Sequence, residues 1–290
     1  MDKLELKALG KINLGLDVLG RRDNGYHDVR MVMQTLYLYD NVTLEKKEEP
    51  GIELQTNLSF LPTDDKNIAW KAADMLIQEF GIKEGVKITL DKHIPVAAGM
   101  AGGSTNAAAV LYGMNQMFKL GLNQQELMDR GVKLGADVPY CIMRGTVLAE
   151  GIGEKLTKLP PMPKCYILIA KPPISVSTKV VYDKLDSKEI VEHPDIDTLI
   201  EGLEEQDLRK VTSSMGNVLE AVTIEDHPVI DDIKKCMLEA GALGAMMSGS
   251  GPTVFGIFED KQTAKAACEK VKAQGKARQV YLANVHNVRR

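Results

Sequence analysis

The chain has 290 residues, 44% of them hydrophobic, enough for one large α/β unit or two ordinary domains around a substantial core. A net charge of −4 and a pI near 5.8 exclude general electrostatic attraction to nucleic acid or an anionic membrane, so an anionic ligand must be held locally. The start, Met1 to Leu6, lacks the basic and apolar regions of a signal peptide, and no stretch reaches the ~18 apolar residues of a membrane span. A soluble cytoplasmic enzyme with neither a nucleic-acid nor a membrane partner is expected. Cys141, Cys165, Cys236 and Cys268 form no C-x-x-C pair and read as reduced core thiols rather than a zinc or disulfide framework.

In chain order, Ile12, Leu14, Leu16 and Val18 alternate with Asn13, Gly15 and Asp17, the period of a strand with one buried face. Lys11 and Asn13 are thereby expected on the face opposite the core, and Asn24-Gly25 supplies the turn that follows. A second strand, Val86 to Leu90, runs into Ile94-Pro95, and helical spacing appears in Ala107, Val110, Leu111, Met114 and Phe118. Asn123 and Glu126 have the spacing of a capping box at the head of another helix, which Gly135 is expected to end. Asp137 then falls on a short connection before Val138-Pro139. The run Leu159-Pro160-Pro161-Met162-Pro163 cannot continue a helix or central strand and marks a boundary near residue 158, giving domains 1–158 and 159–290. Beyond it come a strand at Tyr166–Ala170 and two helical stretches separated by a polar loop. A glycine turn through Ser248-Gly-Ser-Gly251 then feeds a strand, and a helix follows over about Lys261 to Lys272. This irregular alternation predicts an α+β fold.

The segment Pro95-Val96-Ala97-Ala98-Gly99-Met100-Ala101-Gly102-Gly103-Ser104-Thr105 joins a strand to a helix amino terminus, where outward-pointing backbone N–H groups bind anions. Ser104 and Thr105 are placed to cap the helix and to offer hydroxyls to phosphate or magnesium. An ordinary small-residue turn before an alanine-rich helix fits the loop equally well when it is taken alone. The chain has no G-x-x-x-x-G-K-[ST] and no G-x-G-x-x-G, so P-loop and dinucleotide-binding architectures are excluded.

The combination of Gly10-Lys11-Ile12-Asn13-Leu14, the Pro95–Thr105 loop and Ser248-Gly-Ser-Gly251, in that order and over essentially the whole chain, resembles the GHMP kinases. Asn24-Gly25-Tyr26-His27 and Gly135-Ala136-Asp137-Val138-Pro139 narrow the likeness to the branch that uses a cytidine-diphosphate-linked methylerythritol. The resemblance implies ATP-dependent phosphorylation, with Mg2+, of the tertiary 2-hydroxyl of that compound, in the non-mevalonate route to isoprenoid precursors. It implies a ribosomal-protein-S5-domain-2-like amino-terminal domain, a ferredoxin-like carboxy-terminal domain, and a site in the cleft between them. A monomer or weak homodimer is expected. Leu9-Gly10 replaces the usual Pro-Ala, and alanines at 97, 98 and 101 replace common glycines. The retained Gly99, Gly102 and Gly103 are then expected where the backbone approaches phosphate, and the alanines where φ stays negative.

By the same resemblance, Asp137 accepts the hydroxyl proton and Lys11 favours its ionised form while stabilising charge in transfer, worth on the order of 3 kcal/mol. Asn13 belongs with Lys11 as a substrate contact. His27 offers hydrogen bonds to a cytosine edge and Tyr26 a stacking face, with Tyr182 as a second wall and Thr178 as a polar contact. Asn67 is placed near adenine. Without the resemblance, Lys11 reads as a solvated strand-end lysine, Asp137 as a turn residue, and Tyr26-His27 as a hairpin pair. Homoserine, mevalonate and other GHMP kinases remain alternatives, as does a non-catalytic sugar or nucleotide sensor, although the latter would be expected to lose Lys11 or Asp137.

Overall fold

A computed structural model describes residues 2–188 and 192–288. Two long strands open the chain, β1 (Lys3–Arg21) and β2 (His27–Lys47), followed by β3 (Ile52–Thr56), α1 (Ile68–Phe80), β4 (Gly85–Asp91) and α2 (Gly102–Phe118). Next come α3 (Gln124–Gly131), α4 (Val138–Met143), β5 (Thr146–Gly151) and β6 (Lys155–Lys158). Past the prolines lie β7 (Tyr166–Lys171), α5 (Thr178–Leu185), α6 (Ile196–Glu204), α7 (Leu208–Ser213) and β8 (Gly216–Asn217). The chain continues through α8 (Glu220–Asp226), α9 (Val229–Glu239), β9 (Gly244–Met247), β10 (Val254–Phe258), α10 (Lys261–Gln274) and β11 (Gln279–Asn284).

Two compact units result. One holds Met1–Gly10, Leu38–Val96 and Ala101–Met143; the other holds Lys11–Tyr37, Ala97–Met100 and Arg144–Arg290. In the first, β4 pairs antiparallel with β2 from Asn41↔Asp91 to Lys47↔Gly85 and parallel with β3. Helix α1 buries Ala69, Ala72, Ala73 and Leu76, and α2 buries Ala107, Ala108 and Ala109, small side chains that let the two helices approach closely. In the second unit, β5 pairs antiparallel with β2 over Val29–Gln34, β6 extends β5, and β8 pairs parallel with β1 at Gly15 and Leu16. A separate antiparallel sheet runs in the order β11-β7-β10-β9, with α9 and α10 packed on it. This arrangement bears out the expected α+β class.

Strand β1 departs from its expected alternation. Ala8 through Val18 are buried without a break, Lys11 and Asn13 included at 5% and 0% exposure. It lies between β2 and β8 in its sheet, and packing covers both of its faces: the Ile196 and Leu199 side chains of α6, for example, lie against Gly15. The hairpin forms as expected: Gly25 takes φ +83°, Gly25 N–H donates to Arg22 O, and the Asn24 side chain accepts from Tyr26 N–H.

The capping box is present in full, since Asn123 Oδ1 accepts from Glu126 N–H at 3.0 Å and Glu126 accepts from Asn123 N–H at 2.7 Å. Helix α3 stops at Gly131, four residues before the expected Gly135; 132–134 continue only as turns. Five short helices, α5 to α9, replace the two stretches expected beyond residue 170. Side chains at Asp195 and Asp207 cap new helices there, accepting from Thr198 N–H and from the Arg209 and Lys210 N–H groups.

Candidate active site

The phosphate loop leaves β4 and enters α2 with its glycines in unexpected roles. Ala97 and Ala101 take φ +49° and +56°, whereas Gly102 and Gly103 are helical. An alanine in the left-handed region costs roughly 1–2 kcal/mol, so the loop holds strain where negative φ was expected. Ala101 is the N-cap residue of α2 and makes no side-chain cap; Ser104 and Thr105 lie inside the first turn, with Thr105 N–H donating to Ala101 O. The N–H groups of Gly102, Gly103 and Ser104 precede any intrahelical acceptor, the general condition for an anion site at a helix amino terminus. A Cβ on Gly99, at φ +70°, would lie 1.9 Å from Ser248 O. Packing against the late glycine turn therefore requires a glycine at position 99.

That turn is built into the second unit by several hydrogen bonds. Ser248 Oγ donates to Gly99 O at 3.0 Å, and Asn217 Nδ2 donates to Met247 O and Gly249 O at 2.9 and 2.8 Å. Asn217, next to the β1–β8 pairing, was not foreseen because nothing within 30 residues of it hints at its partners. Thr178 and Ser250 hydroxyls meet at 2.8 Å, so the turn reaches the first residue of α5.

Beside Met100 lies the buried polar pair of β1. Lys11 N–H donates to Met100 O at 3.2 Å, its ammonium donates to Asn13 Oδ1 at 2.8 Å, and Asn13 Nδ2 contacts Met31 Sδ at 3.4 Å. Burying an ammonium is costly unless it is hydrogen-bonded, and on this strand it is held by its neighbour two residues on. Asp137 is half-buried and directly precedes α4, its carbonyl accepting from Cys141 N–H at 3.0 Å.

His27 opens β2, with Tyr26 before it 57% exposed in the turn. His27 Nε2 donates to Asp186 Oδ1 at 2.6 Å, and Arg21 pairs with the other carboxylate oxygen at 3.1 Å. A carboxylate only accepts, so the proton of this hydrogen bond sits on Nε2. Tyr182 packs on the imidazole with ring centroids 4.8 Å apart and planes tilted by 43°, leaving no space for another ring between them. Asn67 caps α1: its oxygen accepts from Ala69 N–H and its nitrogen donates to Pro62 O at 2.9 Å, a role that needs no ligand. Asp186, Asp40, Lys92 and Asn106, like Asn217, are polar residues that the sequence motifs did not point to.

The family model for the GHMP kinases N terminal domain matches residues 67–145, and that for GHMP kinases C terminal matches 191–277. A 4-diphosphocytidyl-2-C-methyl-D-erythritol kinase of Lachnospira eligens is 58% identical over 281 residues, covering 97% of this chain and 98% of that protein. The chain belongs to the 4-diphosphocytidyl-2-C-methyl-D-erythritol kinases of the GHMP family. Its counterpart in Lachnoclostridium phytofermentans is 54% identical, with 97% of each chain covered. A solved 4-(cytidine 5'-diphospho)-2C-methyl-D-erythritol kinase superposes with a TM-score of 0.84 at 28% identity, over 98% of this chain and all of that one. A homoserine kinase from Cytophaga hutchinsonii superposes at 0.82, over 98% of this chain and 95% of that one, but at 24% identity that likeness speaks for the fold alone. Among the described residues, no helix is long and apolar enough to cross a membrane.

Proposed function

We propose that the chain transfers the γ-phosphoryl group of ATP to the 2-hydroxyl of 4-diphosphocytidyl-2-C-methyl-D-erythritol, serving isoprenoid precursor synthesis in the cytoplasm as a monomer or weak homodimer. The observation that carries this reading is the buried Lys11–Asn13 pair held against Met100 of the phosphate loop, in a chain 58% identical to a kinase of that name. A fully covered ammonium that serves only as strand filler would be replaced by an apolar side chain at lower desolvation cost.

In this reading the residues divide the work. Pro95 to Thr105 cradle the triphosphate with backbone N–H groups, and Asn67 borders adenine. The acceptor oxygen attacks Pγ in line, its proton passes to the Asp137 carboxylate, and the β–γ bridging oxygen leaves with ADP. Lys11 neutralises charge on the transferring group. Tyr26, Thr178 and Tyr182 bind the cytidine-bearing substrate, and His27 Nδ1 accepts from the exocyclic amine of cytosine. Mg2+ is held largely by phosphate oxygens and water in kinases, with one or two protein oxygens. The Ser104 hydroxyl, half-buried in the first turn of α2, fits such a place. The magnesium neutralises the β- and γ-phosphate oxygens when bound. The sequence domains are taken as 1–158 and 159–290, supported by family matches on either side of the proline run.

Purified protein supplied with ATP, Mg2+ and the cytidine-diphosphate methylerythritol is expected to release ADP in a one-to-one ratio with phosphorylated product. Release of ADP no faster than without acceptor would refute the assignment.

A further inference from the structure

The loop over residues 95–101 leaves the sheet after β4 and returns as α2, and a buried polar cluster ties its two ends together. Asp40, on β2, is fully buried. Its Oδ1 accepts the N–H groups of His93 and Ile94 at 2.7 and 2.8 Å, where the chain turns away from β4. Its Oδ2 accepts from Asn106 Nδ2 at 2.9 Å and from the ammonium of Lys92. That ammonium, on a residue 8% exposed, also donates to Asn106 Oδ1 at 2.7 Å and to Gly102 O at 3.2 Å. Every hydrogen-bonding atom of the Asn106 amide and both oxygens of Asp40 are engaged. The cluster thus joins the loop's entry, 92–94, to its exit, Gly102 and Asn106, through side chains that no step of the phosphoryl transfer uses.

Two features of the loop call for such a fastening. Ala97 and Ala101 are left-handed, a conformation that persists in alanine only when the surroundings over-determine it. Moreover, an ammonium beside the first turn of a helix opposes the helix dipole unless a carboxylate neutralises it, so Lys92 is tolerated here only as the partner of Asp40. We propose that Asp40, Lys92 and Asn106 are positioning residues for the nucleotide. They hold the first turn of α2 and the adjoining left-handed residues so that the N–H groups of Gly102 to Ser104 stay aimed at the triphosphate. None of the three touches ATP in this account. The inference rests on the loop being the ATP site and is independent of which acceptor the enzyme uses.

The test is calorimetric titration of Mg·ATP, and separately of the cytidine-diphosphate acceptor, at a temperature where circular dichroism shows each protein fully folded. Lys92→Met is expected to raise the ATP Kd ten-fold or more, and Asn106→Ala at least three-fold, while acceptor affinity stays within two-fold. The charge-neutral pair Asp40→Asn with Lys92→Met removes the fastening without stranding a buried charge and is expected to match Lys92→Met. It decides the matter if the single variant does not fold. Lys92→Arg, which keeps the charge and donors, is expected to recover part of the lost affinity. An ATP Kd within two-fold of the parent in the folded pair variant, or equal losses for both ligands, overturns the proposal. A parent that binds ATP but does not phosphorylate the acceptor refutes the acceptor assignment and leaves the positioning role standing.

Discussion

A buried ammonium keeps its charge only where acceptors replace lost water, and β1 supplies one in Asn13, at 2.8 Å from Lys11 Nζ. Asp137 is different in kind, half-buried on the residue directly before α4. Substituting Asp137→Asn preserves volume but removes the site that would take the proton. Turnover is expected to fall ~10²–10⁴-fold with the KM for ATP little changed, in steady-state kinetics. Turnover within a few-fold of the parent would show that Asp137 only orients the hydroxyl. Both residues could be named from short motifs, yet their surroundings could not. Strand alternation put Lys11 and Asn13 on an open face, whereas packing on both faces of the sheet covers them.

At the scale of elements, the phosphate loop combines one glycine that packing requires with two alanines that its backbone strains. Gly99→Ala would drive a methyl group to 1.9 Å from Ser248 O at positive φ, and the turn carrying Ser248 is fixed by Asn217. A loss of about 2 kcal/mol or more in unfolding free energy is expected from denaturant titration. Ala101→Gly acts the other way. It relieves ~1–2 kcal/mol of left-handed strain against ~0.5–1 kcal/mol of added unfolded-chain entropy, so stability is expected to rise by up to about 1.5 kcal/mol. A destabilised Ala101→Gly protein would mean that the methyl group packs favourably. The loop and its flanking strand and helix were legible, because glycine spacing and hydrophobic period are local. Which residues take positive φ was not, because that depends on what the loop is fastened to.

Across the whole molecule, titration favours neutral pH. Burial, and then the charge of Arg144, holds His286 below its ordinary 6.5. Asp28 is lowered by the Arg22 hydrogen bond, Glu79 by Arg130, Asp226 by Lys184, Asp195 by the Thr198 N–H of the helix it caps, and Asp260 by the Thr263 hydroxyl and then that residue's N–H. Every one of these groups binds its proton less readily folded than unfolded, so each contributes stability above its unfolded value and loses it as pH falls. Acidification should lower the thermal midpoint first below about pH 6.5, through His286, and again below about pH 4, through the carboxylates. In calorimetric scans His286→Gln is expected to flatten only the first of these steps. A midpoint that rises between pH 7 and 5 would contradict the assignment.

The sequence by itself determined the family, the order of strand, glycine-rich loop and helix, the capping box at Asn123 and the proline-rich break at 159–163, since each is written in residues close together along the chain. Tertiary structure alone decided that β1 is covered on both faces, that Gly99 exists for Ser248, and that Asp40, Lys92 and Asn106 meet. Asp40 and Lys92 lie 52 positions apart, and only the pairing of β2 with β4 brings them together. A buried ion pair has no local period to betray it. Its energetic logic appears only when the sheet that removes its water has been assembled.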